Sequence, residues 1–126
     1  ENNYATMHVL GSYLYHADMK DTYGDSLTWN YNDASIIHKN KWYEIEQYIS
    51  LNTPSENDGV LRVWINGILV YNKTDIRLTD DENLPIESVW LNVYHGGINK
   101  AHKDMSLYID ELIIAHNFMG KTQIVF

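Results

Sequence analysis

Two tyrosines, a histidine and a lysine near the start of the chain have the types and spacing best suited to chemistry. Tyr13 and Tyr15 stand two residues apart, and His16 and Lys20 follow. Successive side chains of a strand point to opposite faces, so both phenols would lie on one face. A phenol has a pKa of about 10 and transfers protons near neutral pH only where its surroundings adjust that value. The pattern therefore indicates either a packed core face or an open face that carries proton-transfer groups.

Other polar groups give weaker signals. The six histidines stand singly, without the spacing of a helical metal site, so we expect neither a metal nor a cofactor. The acidic run 80–82 lacks the alternating ligands of a calcium loop and is better explained as a solvated turn. Glu44 and Glu46 would place two carboxylates on one strand face, as glycoside hydrolysis needs. A solvated polar face beside Trp42 is the simpler interpretation.

Composition restricts the class of protein. The chain has 126 residues, which suits a single domain, and its net charge of −8 argues against nucleic acid as a partner. We expect no membrane insertion, because no apolar run approaches the length of a membrane span. Cysteine is absent, and ten tyrosines accompany four tryptophans, which suits either β-sheets or sugar binding. The chain opens with Glu1, so we expect the natural start to have been removed.

Alternation of apolar and polar residues runs through most of the chain and predicts strands. Residues 17–41 are rich in turn formers and are predicted to form an elaborated loop. Residues 105–116 also suit a helix by composition, but their alternation favours a strand. The predicted strands are Met7–His16, a short one near Leu27–Tyr31, Trp42–Leu51, two arms within Val60–Asn72, Pro85–Gly97, Met105–His116 and Thr122–Phe126.

The clearest local signal is a hairpin. Asn66 and Gly67 stand between two β-branched runs, which is the signature of a type I′ turn. Together the patterns predict an all-β, antiparallel fold of six to eight strands. We expect a jelly roll or β-sandwich of concanavalin-like form over residues 1–126, incomplete within this chain.

These segments resemble the C-terminal part of polysaccharide lyase family 14, the alginate and related polyuronate lyases. The resemblance runs from about Ser12 to Ala115. It is carried by "YLYH", by "YGD", by "KWYEIEQYISLNTPSENDGVLRVWINGILVYN", by "VYHGG" and by "LYIDELIIA". Laminin-G-like and legume-lectin-like domains share similar strands, so the fold alone does not establish activity.

The resemblance implies β-elimination on an acidic polysaccharide in the cleft of a jelly roll, by a secreted protein. Such chemistry needs a base for the C5 proton, a group that neutralises the carboxylate, and an acid for the leaving oxygen. The family's two tyrosines correspond to Tyr13 and Tyr15, which are therefore the predicted catalytic residues. The predicted substrate-binding residues are His16, Lys20, Tyr94 and His95.

The chain also departs from the family pattern. The family's catalytic lysine and substrate-contacting arginine and serine precede the tyrosine strand, whereas here twelve residues precede Tyr13, without lysine or arginine. We therefore expect weak or no activity from the isolated chain. An N-terminal fragment or a second copy would complete the sheet, unless the chain is a minimised non-catalytic relative. Two other functions stay open, a carbohydrate-binding or lectin-like module and a structural β-sandwich.

Overall fold

The computed structural model describes residues 7–120, in which seven strands and one short 3₁₀ turn form. Alternating, β-branched segments supply the longest strands, and polar turn formers separate them. The elements are β1 (Met7–Val9), β2 (Gly11–Leu14), β3 (Asp25–Thr28), the 3₁₀ turn (Asp33–Ser35), β4 (Ile36–His38), β5 (Ile45–Ser50), β6 (Gly59–Ile65) and β7 (Ile68–Ile76).

The strands form three antiparallel sheets. One contains β5, β6 and β7 in that order, and the other two pair β1 with β4 and β2 with β3. Only Leu10 separates β1 from β2, and the amide of Trp29 donates to its carbonyl at 3.0 Å. The two small sheets are therefore consecutive parts of one twisted layer. The fold is all-β and sandwich-like, as the alternation predicts.

The core lies between that layer and the inner face of the three-stranded sheet. Its buried side chains are Trp29, Leu61, Val63, Ile65, Val70 and Ile76. Leu14 and Leu27 pack against this cluster from β2 and β3. Ile45 and Ile49 of β5 pair with Ile65 and Leu61, so they lie on the core side, yet they stay 43% and 46% exposed. The core is thus covered over β6 and β7 and open over β5.

The predicted hairpin joins β6 to β7. Asn66 and Gly67 have φ values of 51° and 77°, the positive angles that a type I′ turn requires at both central positions. The turn is also tied to the chain before β5, because the amide of Glu44 donates to Asn66 Oδ1 at 3.0 Å. Local sequence therefore sets the register next to the turn, and the register shifts between Val63 and Trp64 and again between Gly59 and Leu61.

Two strand predictions are wrong in the described structure. Segments 85–97 and 105–116 alternate as strands should, but neither forms a strand. A strand needs a neighbour for its backbone amides and carbonyls. The free edge of β7 is instead contacted by the loop at Tyr31, whose amide donates to the carbonyl of Val70 at 3.0 Å. The alternating sequence of these segments suits a β-strand, but no partner strand is present among residues 7–120.

The N-terminal part differs in detail from its prediction. The strand predicted over 7–16 breaks at Leu10 and ends at Leu14, and the strand predicted near 27–31 lies at Asp25–Thr28. The loop predicted over 17–41 contains one further strand, β4. Three residues cannot show a period, which is why β4 gave no signal. The strand predicted over 122–126 lies outside the described residues.

Candidate functional site

The two predicted catalytic tyrosines lie together on an open face. Tyr13 and Tyr15 are each 56% exposed, and their rings meet edge to face with centroids 5.5 Å apart. Tyr13 also lines a shallow concavity of about 180 Å³ with residues of β2 and β3. The open face follows from alternation, because Ser12 and Leu14 point inward. The tyrosines are therefore surface groups within reach of a ligand.

His16 lies two residues beyond the end of β2 and is much less exposed than the tyrosines. Its side chain is only 15% exposed. Its Nε2 lies 2.7 Å from Oδ2 of Asp25, the residue paired with Leu14 across the hairpin. A carboxylate at this distance fixes the orientation of the imidazole ring. The structure thus joins His16 to Asp25.

Two further contacts anchor the residues that follow His16. The amide of Ala17 donates to the carbonyl of Arg77 at 2.7 Å. The Arg77 guanidinium binds Asp18 and also donates two bonds to Asp80, at 3.1 and 3.0 Å. The Arg77 hydrogen bond holds the pKa of Asp18 below its usual range. Tyr15 is therefore followed by three anchored residues.

The "YGD" triplet closes the same hairpin from the other side. Hydrogen bonding to Tyr15 is the main cause that raises the pKa of Tyr13, with desolvation next and Tyr23 contributing through its charge. The backbone of Gly24 acts in the opposite direction. A Cβ on Gly24 would lie 2.8 Å from the carbonyl oxygen of Leu14, so only glycine fits there without a shift. All three triplet residues therefore act on the tyrosine hairpin.

A nearby positive charge would stabilise a phenolate and lower its pKa, whereas the Tyr13 pKa is raised. Within residues 7–120, none of the groups that shift the Tyr13 pKa is a cation. Lys73 on β7 is paired with Asp75 at 2.6 Å, and that hydrogen bond is the main cause that raises its pKa. Tyr13, like an ordinary phenol, is protonated at neutral pH, which is the form that a proton donor needs.

The remaining predicted site residues do not all gather at the tyrosines. Lys20 lies exposed in the loop between β2 and β3. Tyr94 and His95 line a separate concavity of about 490 Å³, formed by residues 93–107, which shares no lining residue with that at Tyr13. His95 Nε2 lies 2.9 Å from the carbonyl oxygen of Asn99. Their role in substrate binding stays a prediction.

Sequence reasoning missed Asp25 and Arg77 as residues of this region. Asp25 stood within the "YGD" triplet, which was the available signal, and the structure places it across from Leu14. Arg77 had no signal, because its contact with Asp18 spans 59 residues. Of the alternative carboxylate pair, Glu46 accepts a hydrogen bond from the amide of Met119 at 2.7 Å. Among residues 7–120, no group of three His, Asp or Glu side chains is placed to hold a metal ion.

The described chain is all-β and sandwich-like, and it exposes a contacting pair of tyrosines. The family model described as Polysaccharide lyase 14 matches residues 11–109, which include the tyrosine strand, the core sheet and "VYHGG". The chain therefore belongs to the polysaccharide lyase 14 family. Comparisons with curated proteins and with solved structures gave no match. The described residues contain no helix long and apolar enough to cross a membrane.

Proposed function

We propose that this protein is a lyase for acidic polysaccharides of the alginate or polyuronate type, acting by β-elimination. The observation that carries the proposal is the exposed, contacting pair Tyr13 and Tyr15 within the family-matched region. Aromatic faces suit stacking on sugar rings, and hydroxyl groups suit proton exchange with them. We propose further that the polysaccharide binds in a jelly-roll cleft and that the protein is secreted, where such polymers are found.

The two hydroxyl groups take different roles in this proposal. Tyr13 keeps its proton at neutral pH, as an ordinary phenol does, and hydrogen bonding to Tyr15 raises its pKa further. It is therefore the acid that protonates the leaving glycosidic oxygen. Tyr15 accepts the C5 proton as its phenolate, a form that requires a neighbouring cation, and passes that proton on to reset the pair. A cation near the uronate carboxylate would stabilise the developing charge, and in this proposal it comes from the N-terminal fragment or second copy, while Lys20 lines the cleft.

The test is the ultraviolet absorbance of the unsaturated uronate product during incubation with alginate and other polyuronates. Tyr13→Phe and Tyr15→Phe each remove one hydroxyl and keep the ring. We expect either change to lower the rate by about 10²- to 10⁴-fold, the usual contribution of a proton-transfer group. Tyr31→Phe is the matched control, because its hydroxyl donates to the carbonyl of Asn72 away from the pair. Equal rates for all four proteins would contradict the assignment.

A carbohydrate-binding module is the second candidate function. It is favoured by one observation, the absence of a cation among the groups of the described residues that shift the Tyr13 pKa. A binding module needs the aromatic faces of the pair and not an adjusted phenol. Binding of polyuronate without product formation, and weakened by Tyr13→Ala but not by Tyr13→Phe, would support this function over the lyase.

We also propose that further strands complete the sheets, supplied by an N-terminal fragment or by a second copy of the chain. The exposed isoleucines of β5 support this, since they lie on the core side of the sheet without cover from residues 7–120. The alternating segments 85–97 and 105–116 support it as well, because both have strand-forming sequences without a neighbouring strand.

A further inference from the structure

Tyr15 lies just beyond the end of β2, where the hydrogen bonds of the sheet no longer fix the backbone. β2 ends at Leu14, and the register with β3 ends at the pair of Leu14 with Asp25. Tyr15 and Tyr13 nevertheless meet with an interplanar angle of 87°. A ring with 56% exposure has little packing to fix it. Its position must therefore depend on the backbone on its C-terminal side.

That backbone is held at three successive residues by two different parts of the fold. His16 contacts Asp25 at 2.7 Å, across the hairpin. Ala17 donates to the main chain of Arg77, and Asp18 binds the Arg77 side chain. Asp80 accepts two hydrogen bonds from Arg77 and so restrains its guanidinium. Planar, charge-assisted hydrogen bonds of this kind define direction as well as distance.

We propose that Arg77 and Asp25 are positioning residues, which hold the segment 16–18 so that Tyr15 stays against Tyr13. Asp25 is paired with Leu14, and Arg77 contacts Ala17 and Asp18, so both would act through segment 16–18 and not through the substrate. A role for this positioning in catalysis rests on the proposed lyase function. The ring contact itself does not, and it is measured separately.

The experiment uses the full chain with ¹³C-labelled tyrosine and the variants Arg77→Met and Asp25→Ala. Magnetisation transfer between the two rings reports their contact, and the Tyr13 Cζ shift during a pH titration reports hydrogen bonding by Tyr15. We expect both variants to weaken the ring contact and to lower the Tyr13 titration midpoint. Arg62→Met is the matched control, because it makes the same change of side chain at an arginine that donates to Asn72 on β7.

Cross-strand contacts between β2 and β3 show in each variant whether the hairpin remains folded. The proposal holds if either variant loses the ring contact while those contacts persist, and if Asp25→Asn, which keeps a hydrogen-bond acceptor for His16, restores it. Where lyase activity is measurable, we expect kcat to fall about tenfold with KM within about twofold, because the substrate contacts remain. An unchanged ring contact and titration, or loss of the ring contact only together with the hairpin, would overturn the proposal. Wild-type inactivity with the ring result intact would count only against lyase activity of the isolated chain and would leave the positioning role standing.

Discussion

Several aspartate carboxylates of this acidic protein accept hydrogen bonds that lower their pKa values. Asp58 accepts from the amide of Thr53 at 2.6 Å and from its hydroxyl at 2.7 Å. These bonds, the hydroxyl first, lower the pKa of Asp58. Asp18 and Asp75 have lowered pKa values as well, through Arg77 and Lys73. The folded protein therefore prefers these carboxylates in their charged form.

That preference predicts the response of stability to acid. A carboxylate with a lowered folded-state pKa contributes stability above its unfolded pKa of about 3.9. The contribution is lost as the pH falls through the folded-state value. We expect urea midpoints to fall between pH 7 and pH 3, and to fall less in Asp58→Asn, which lacks that titration. The variant should also be the less stable protein at pH 7.

The exposed loop residue Asp21 provides the control for this measurement. Asp21→Asn removes a charge without touching the Thr53 bonds, so its midpoints should follow those of the unmodified chain. A parallel fall in Asp58→Asn and in the unmodified chain would show that Asp58 does not contribute to the acid response.

At the scale of elements, one buried amide joins the end of β5 to the end of β7. Asn52 is 7% exposed, and its Oδ1 accepts from the amides of Leu78 and Thr79 at 2.7 and 3.0 Å. Its Nδ2 donates to the carbonyls of Thr53 and Thr79, both at 2.9 Å. The side chain thus satisfies backbone groups that lie beyond the strands, where no ladder can reach them.

Asn52→Ala should therefore destabilise the fold strongly. The change leaves part-buried amides and carbonyls without partners, which costs about 2–4 kcal/mol in the free energy of unfolding. Urea unfolding followed by tryptophan fluorescence measures this loss. Asn30→Ala, at an exposed position, should cost less than about 0.5 kcal/mol. Similar losses at both positions would mean that water replaces the Asn52 bonds.

At the scale of the whole molecule, the net charge of −8 opposes a polyanionic ligand. Repulsion between like charges weakens as salt shortens the Debye length to about 10 Å at 0.1 M. We expect binding of polyuronate to tighten as sodium chloride is raised from very low concentration to that value. Calorimetric titration measures it, with a neutral glucan as control. Affinity that falls with salt would indicate that local cations such as Lys20 outweigh the net charge.

The open inner face of β5 and the unpaired segments give a second prediction at this scale. Val93 and Ile109 are 63% and 51% exposed within segments patterned as strands. Light scattering of the concentrated chain should give a mass above the 14.7 kDa of one copy. Val93→Lys and Ile109→Lys should lower that mass, and Ser106→Lys should not. A single-copy mass at all concentrations would exclude completion by a second copy and leave the N-terminal fragment.

The sequence by itself determined the features that depend on neighbouring residues. Asn66 and Gly67 specify the turn through their own backbone preferences, and alternation around Ile45 and Ile49 fixes the core side of β5. Alternation also placed both tyrosines on one face. These are short-range properties, because the period of a strand and the angles of a turn are set within a few residues.

Only the tertiary structure decided which groups meet. Arg77 reaches Asp18 across 59 residues of sequence, and His16 contacts Asp25 only because the hairpin brings the two together. Segments 85–97 and 105–116 had the pattern of strands and did not form them. Pairing requires a second backbone at hydrogen-bonding distance, and ion pairs require two elements brought together. No local pattern contains that information, because both depend on the path of the whole chain.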